Sequence, residues 1–308
     1  MKVYDSVTQL IGNTPVVKLG RIKEKYSLSG NLFAKLESFN PWGTAKDRIG
    51  YYMIKDALDS GKLSPGGLII EPTSGNTGIA LCASAVIMGF DVIITMPSNM
   101  SVERIKLMQS FGAKVILTPA ENGMQGSIDE AERIHKENPG SWIAGQFDNL
   151  SNPKAHYLST GPELWNDMDG NIDILVATFG TGGTITGTAK YLKEKNPDIK
   201  IIGVEPKYSP LVSEGKVGSH KIAGIGANFV PSVLDTEIID EIIAVTDEDA
   251  FEYARSLTVT EAIMAGISTG AALKAAVEVA SREENKDKNI VFIAVDSSER
   301  YMSTELFD

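Results

Sequence analysis

Cysteine is almost missing from this sequence: Cys82 is the only one in 308 residues. No intramolecular disulfide can form, which suits a reducing compartment and sets the expectation of a cytoplasmic protein. Within its apolar surroundings Cys82 reads as a small core residue rather than a nucleophile. Histidine is scarce as well. His135, His156 and His220 lack the spacing of metal ligands, so no metal centre is expected. His135 and His156 fall in polar helical stretches and read as solvated side chains. Positive charge is in deficit, with 29 Lys and Arg against 40 Asp and Glu and a net charge of −11. Such a chain repels the nucleic-acid backbone and anionic bilayers, so neither is an expected partner. No long apolar run is present. The most apolar stretch, Ile79 to Met88, is too short to span a bilayer and is interrupted by small and polar residues. The N-terminal MKVYDSVTQLIGNTPVV has no apolar signal core or cleavage site, so no signal peptide is expected.

What remains is the composition of a globular protein, 43% hydrophobic and 22% charged, with enough residues for two domains. Short β-branched runs alternate with segments of helical length. Leu68–Glu71 predicts a strand, Asn76–Met88 a helix, Asp91–Met96 a strand, Val102–Phe111 a helix and Lys114–Leu117 a strand. Further strands are predicted at Asp173–Ala177, Lys200–Val204 and Ile290–Val295. Strands that read as continuous apolar runs, each followed by a helix, predict α/β architecture with doubly wound, mostly parallel sheets. A turn-rich break at Pro139–Pro153 is a candidate domain boundary. Gly215–Pro231 reads as a glycine-rich loop, and the acidic run Asp235–Glu241 as a solvated face.

Two predicted strand–turn–helix junctions have unusual turns: Glu71-Pro-Thr-Ser-Gly-Asn-Thr-Gly78 and Thr178-Phe-Gly-Thr-Gly-Gly-Thr184. A helix N-terminus offers unpaired N–H groups and partial positive charge, glycine allows close backbone approach, and hydroxyls add donors. Such turns suit an anion, although each is also an ordinary capping sequence. The second is no Walker A loop, because no Gly-Lys-Ser/Thr follows. It is not a clean dinucleotide fingerprint either, since Ile185 holds the last glycine position. Glu205 stands at the end of the next strand, however, where a ribose-binding acid would sit, so a nicotinamide-dependent dehydrogenase is a rival reading.

The segment Asn40-Pro-Trp-Gly-Thr-Ala-Lys-Asp-Arg48 resembles the lysine motif of the pyridoxal-phosphate (PLP) enzymes of the cysteine synthase and cystathionine β-synthase family. Thr73–Gly78 looks like that family's substrate-carboxylate loop, and Gly180–Thr184 like its phosphate cup. Gly145-Gln-Phe147, Gly224-Ile-Gly-Ala227, Gly266-Ile-Ser-Thr-Gly270 and Glu299-Arg-Tyr-Met-Ser-Thr304 match further blocks in the same order. The resemblance runs from Ile11 nearly to the end of the chain.

It implies PLP fold type II, the tryptophan synthase β-like fold, with two doubly wound domains and an active site in the cleft between them. The smaller, mobile, substrate-binding domain is expected at 40–146, and the larger, cofactor-anchoring one at 1–39 plus 147–308. The resemblance also implies the site residues. Lys46 holds PLP and acts as the catalytic base. Asn76 meets the cofactor ring hydroxyl. Gly180, Thr181, Gly182, Gly183 and Thr184 cradle its phosphate, and Ser268 faces its pyridine nitrogen. Thr73, Ser74, Asn76, Thr77 and Gln146 bind the substrate. A lysine in this role must be partly desolvated so that its amine can be neutral. A serine at the pyridine nitrogen restrains electron withdrawal and favours β-elimination over transamination.

The implied reaction is β-replacement through an aminoacrylate, in the leading form O-acetyl-L-serine plus sulfide giving L-cysteine plus acetate. The alternative consumes cysteine, releases hydrogen sulfide and forms serine or lanthionine. A catalytically dead binding protein is a third reading. A homodimer is expected, with serine acetyltransferase as a further partner by the same resemblance. Trp42, Asn228 and Asp296 depart from the family pattern and put the donor amino acid in question.

Overall fold

The computed structural model describes residues 3–307. The chain opens with β1 (Val16–Lys18), α1 (Gly20–Lys25), β2 (Asn31–Leu36), α2 (Lys46–Asp59), β3 (Leu68–Pro72), α3 (Asn76–Met88) and β4 (Asp91–Pro97). It continues with α4 (Val102–Ser110), β5 (Lys114–Thr118), α5 (Gly123–Glu137), β6 (Trp142–Ile143), α6 (Ser151–Leu158), α7 (Thr160–Asp167), β7 (Ile174–Thr178) and α8 (Gly183–Lys195). The last elements are β8 (Lys200–Pro206), α9 (Leu211–Glu214), β9 (Glu241–Val245), α10 (Asp247–Glu261), α11 (Ile267–Ser281) and β10 (Asn289–Ala294).

The strands read from β-branched runs fall within a residue or two of expectation. Four strands lie outside those runs: β1 and β6, whose two or three residues are too few to show a period, and the longer β2 and β9, of which β9 begins at Glu241, where the acidic run ends. Local signals set the helix ends. Thr246 caps α10 through its hydroxyl, which accepts the Asp249 N–H, and three acidic residues follow in the first turn. Gly89, at φ +78°, ends α3 in the left-handed conformation.

Contacts divide the chain into two units. One contains the N-terminal residues up to Ile11 with Lys46–Ala155; the other contains Gly12–Ala45 with the chain from His156 onward. This division differs from the expected bounds, 40–146 against 1–39 plus 147–308, at residues 3–11, where Val7–Leu10 packs on α3, and at 40–45 and 147–155.

The smaller unit has a parallel sheet in the order β5-β4-β3-β6. One face packs on α2 and α3 through Ile49, Met53, Ile69, Ile79 and Ile94. The other packs on α5 through Ile70, Ala131 and Ile134. Each of these isoleucine and methionine side chains, fully buried, contributes roughly 1.5–3 kcal/mol. Helix α3 is buried from Thr77 to Ala85, as its almost uniformly apolar sequence demands.

The larger unit has a six-stranded sheet in the order β1-β2-β10-β7-β8-β9. All its pairings are parallel except β1 with β2. Residues of α1, α10 and α11 cover one face and residues of α7 and α8 the other.

Both sheets reverse direction in the same way. From β3 the chain adds β4 and β5 on one side, then returns to place β6 on the other. From β7 it adds β8 and β9, then returns to place β10 on the other. Ligands in open parallel sheets bind beyond the strand carboxyl ends at such reversals. In the smaller unit those ends lead into Thr73–Gly78 and Gly145–Gln146. In the larger they lead into Gly180–Thr184 and Val295–Asp296.

Candidate active site

In the smaller unit the reversal gathers three of the expected substrate residues. The Thr77 hydroxyl donates to Gln146 Oε1 at 2.6 Å, and Gln146 Nε2 donates to Thr73 Oγ1 at 3.5 Å. All three side chains are buried. The Thr73 hydroxyl also accepts the Gly75 N–H at 3.3 Å, and Arg104 holds the Ser74 carbonyl at 3.3 Å. Asn76 is the first residue of α3, with Gly75 at its N-cap. Two hydroxyls, an amide and the start of a 13-residue helix, with the Arg104 guanidinium against the same loop, make a donor-rich place suited to a carboxylate.

Lys46 belongs to the same unit and is the first residue of α2. It is half-buried, while Asp47 and Arg48 beside it are fully buried, so the segment is not a solvated charge cluster. Helix α2 packs tightly on α3 because Gly50 has no side chain; a Cβ there would meet the Ala80 backbone at 2.7 Å.

In the larger unit Gly180–Thr184 forms the turn from β7 into α8. Gly182 adopts φ +87°, and a Cβ on it would meet Leu234 at 2.5 Å. On Gly180 a Cβ would meet the Gly224 carbonyl at 2.3 Å. Both positions therefore need glycine, and the cup packs against the Gly224–Ala227 loop. No carboxylate occurs within Gly180–Thr184, so its backbone N–H groups and two hydroxyls suit an anionic phosphate.

His156 corrects the sequence reading. It is buried, not solvated: Nδ1 lies 2.9 Å from Thr160 Oγ1, and Nε2 lies 3.1 Å from Thr184 Oγ1 in the cup. Ser268 is buried in the first turn of α11, which packs on β7 and β10.

Asp296 is also buried. Its carboxylate accepts the Tyr301 hydroxyl at 2.7 Å, and its carbonyl accepts the Gly266 N–H at 3.1 Å. It bridges to Thr44, two residues before Lys46. Gly266 must be glycine here, since a Cβ would lie 2.0 Å from Asp296 Oδ1.

Glu205 does not serve as a ribose acid. Its carboxylate accepts the Val212 and Ser213 N–H groups, at 3.0 and 3.2 Å, and the Ser213 hydroxyl, which ties it to the start of α9. Cys82 is buried in the smaller core, where desolvation pushes its thiol up to about 12. Glu71 was read only as the end of a strand. It is buried against the Gly145–Gln146 turn, and burial pushes its carboxyl up to about 7. A charged residue closing an apolar run just before a glycine-rich turn was the available signal.

Residues 7–296 match the family model described as pyridoxal-phosphate dependent enzyme. The chain is 48% identical to cysteine synthase B of Campylobacter jejuni, covering the whole of both proteins. A solved cysteine synthase from Entamoeba histolytica superposes with a TM-score of 0.97 at 44% identity, over 99% of this chain and 91% of that one. A hydrogen sulfide-producing enzyme from Fusobacterium nucleatum superposes with a TM-score of 0.92 at 42% identity, over 97% of this chain and 100% of that one.

Proposed function

Because the chain belongs to the pyridoxal-phosphate dependent enzyme family, in its fold type II branch, we propose that it acts as a cysteine synthase, converting O-acetyl-L-serine and sulfide to L-cysteine and acetate. The observation that carries the reading is the Thr73–Thr77–Gln146 cluster at the start of α3, a carboxylate site for an amino acid. The end-to-end likeness to cysteine synthases supports the choice of donor and nucleophile.

Lys46 would hold the cofactor, and Gly180–Thr184 would hold its phosphate. When bound, PLP supplies an electron sink at the substrate α-carbon. Thr73, Ser74, Thr77 and Gln146 bind the substrate carboxylate, while Asn76 serves both the cofactor ring hydroxyl and the substrate. The substrate amine would displace Lys46, whose freed amine would remove the α-proton as acetate leaves the β-carbon; hydrosulfide would then add there while Lys46 returns the proton to the α-carbon. Ser268, a neutral hydrogen-bonding group, faces the pyridine nitrogen. The smaller unit thus supplies Lys46, Asn76 and the substrate-carboxylate residues, and the larger supplies the phosphate cup and Ser268. His156 would hold the Thr184 hydroxyl through its Nε2, 3.1 Å away.

A second reading has support from the likeness to the hydrogen sulfide-producing enzyme and from Trp42, Asn228 and Asp296. Cysteine would be the donor, sulfide would leave, and water or a second cysteine would add. Steady-state turnover with O-acetylserine, O-phosphoserine, serine and cysteine, with acetate and sulfide both measured, decides between them. Rapid acetate release from O-acetylserine supports the first reading. Sulfide release from cysteine with poor use of O-acetylserine overturns it. The proposal extends to a cytoplasmic homodimer, which light scattering tests, and to binding of the C-terminal tail of serine acetyltransferase, which titration with that peptide tests.

A further inference from the structure

Glu71 is the penultimate residue of β3 and is 1% exposed. Its Oε2 accepts the Gly145 N–H at 2.7 Å, and its Oε1 accepts the Gln146 N–H at 3.4 Å. Gly145 adopts φ +63°, and the two successive N–H groups converge on one carboxylate, as in an anion-binding backbone nest. The carbonyls of the same turn are also held. Asn149 Nδ2 donates to Ala144 O and Asn152 Nδ2 to Gln146 O, both at 2.8 Å. From this turn the Gln146 side chain reaches the Thr73 and Thr77 hydroxyls.

We propose that Glu71 is a positioning residue: by gripping the Gly145 and Gln146 N–H groups it aims the Gln146 amide into the carboxylate site and so sets the affinity for the amino-acid donor. The proposal deepens the reading of that site as the place where the donor carboxylate binds.

A carboxylate suits this place and an amide does not. Each N–H here meets its own carboxylate oxygen, whereas glutamine offers one oxygen and would turn its NH₂ towards the second donor. No ion pair compensates for the burial of Glu71 among the described residues. Its register partner on β4 is the apolar Ile94. Burial raises the carboxyl to about 7, the Gly145 and Gln146 hydrogen bonds oppose that rise, and no charged side chain contributes. The ionised form, which grips both N–H groups, is therefore lost as pH falls through neutrality. Below it the turn loosens and donor affinity drops.

The test uses the cofactor-loaded full chain and two readouts. The first is the amide ¹H–¹⁵N shifts of Gly145 and Gln146 across neutrality, which report the grip whether or not the enzyme turns over. Both should titrate together near pH 7 in the parent protein and stay flat in Glu71→Gln. The second is steady-state kinetics. KM for the amino-acid donor should rise on acidification in the parent. In Glu71→Gln it should be high at every pH, by about tenfold or more, as expected for loss of a hydrogen bond to a charged acceptor, with kcat little changed. In a Gln146→Ala background, Glu71→Gln should add nothing further to KM, because the effect runs through Gln146.

Amide shifts unmoved across neutrality in the parent protein would overturn the proposal, and that measurement stands even if Glu71→Gln fails to fold. A Glu71→Gln enzyme with the parent KM and pH profile would also overturn it, as would a full additional loss in the Gln146→Ala background. A titrating turn in a protein that accepts no β-substituted amino acid would instead overturn the functional reading and leave the grip itself intact.

Discussion

Lys46 stands in a local sequence motif, and its role as cofactor lysine belongs to the proposal. It opens α2, whose first turn is anchored by buried Asp47 and Arg48 and whose close approach to α3 depends on Gly50. Lys46→Ala should abolish the borohydride-reducible absorbance band and lower turnover by roughly 10²–10⁴-fold or more, the usual contribution of a positioned acid–base group. Absorbance, peptide mapping of the reduced adduct and stopped assays check this. His156 and Glu71 were hidden by comparison. His156 sits in a polar helical segment, and its burial depends on Thr184, which lies 28 positions further along the chain. No local pattern reports a contact at that separation. Glu71 reads as a strand terminus until its partner turn, 74 positions away, is brought alongside. Cys82 was legible because an apolar helix leaves a small thiol no other role.

The strand–turn–helix junctions were legible for the opposite reason: each is local, with an apolar run, a glycine-rich turn and a helix start in consecutive residues. Gly182→Asp should empty the cup. It forces a Cβ into Leu234 at a left-handed position and sets a carboxylate in the proposed phosphate site. Cofactor occupancy should fall well below the parent value in protein that remains folded by circular dichroism; unchanged occupancy would reduce the turn to a structural one. At the end of β3, Glu71 links stability to pH with a definite sign. Its folded pKa, about 7, exceeds its ordinary 4.5, so the native state binds the extra proton between those values. Its contribution to stability is fully present below the unfolded value and is lost as pH rises through the folded one, by at most roughly 3 kcal/mol. Glu71→Gln should flatten the denaturation midpoint between acidic and neutral pH, which urea titrations at several pH values would reveal. The short strands β1 and β6 escaped sequence reading because they are specified by their partners rather than by their own two or three residues.

For the molecule as a whole, the fold class was readable from strand–helix alternation, but the grouping of Val7–Leu10 with α3 was not, since it depends on a contact between segments far apart in sequence. Donor choice is a property of several loops together. If cysteine proves the better donor, replacing Trp42 and Asn228 by glycine should move preference towards O-acetylserine by about tenfold, a change of roughly 1.4 kcal/mol in transition-state binding. Competition assays with both donors present would measure it, and an unmoved ratio would point to the loop at Asp296. The strand order has a consequence for how the chain matures during synthesis. The four strands of the smaller sheet are contiguous in sequence, so that sheet can close while the ribosome is still translating the residues beyond Ala155. The larger sheet cannot. Its central strand, β10, pairs with β2 on one side and β7 on the other, and it is the last strand to emerge. Until then β2 and β7 each expose an unpaired hydrogen-bonding edge, a template for aggregation. A chain stopped just before Asn289 should therefore accumulate in chaperone-bound or insoluble form with its smaller sheet already protease-resistant, while release of the last twenty residues closes the larger sheet in one step.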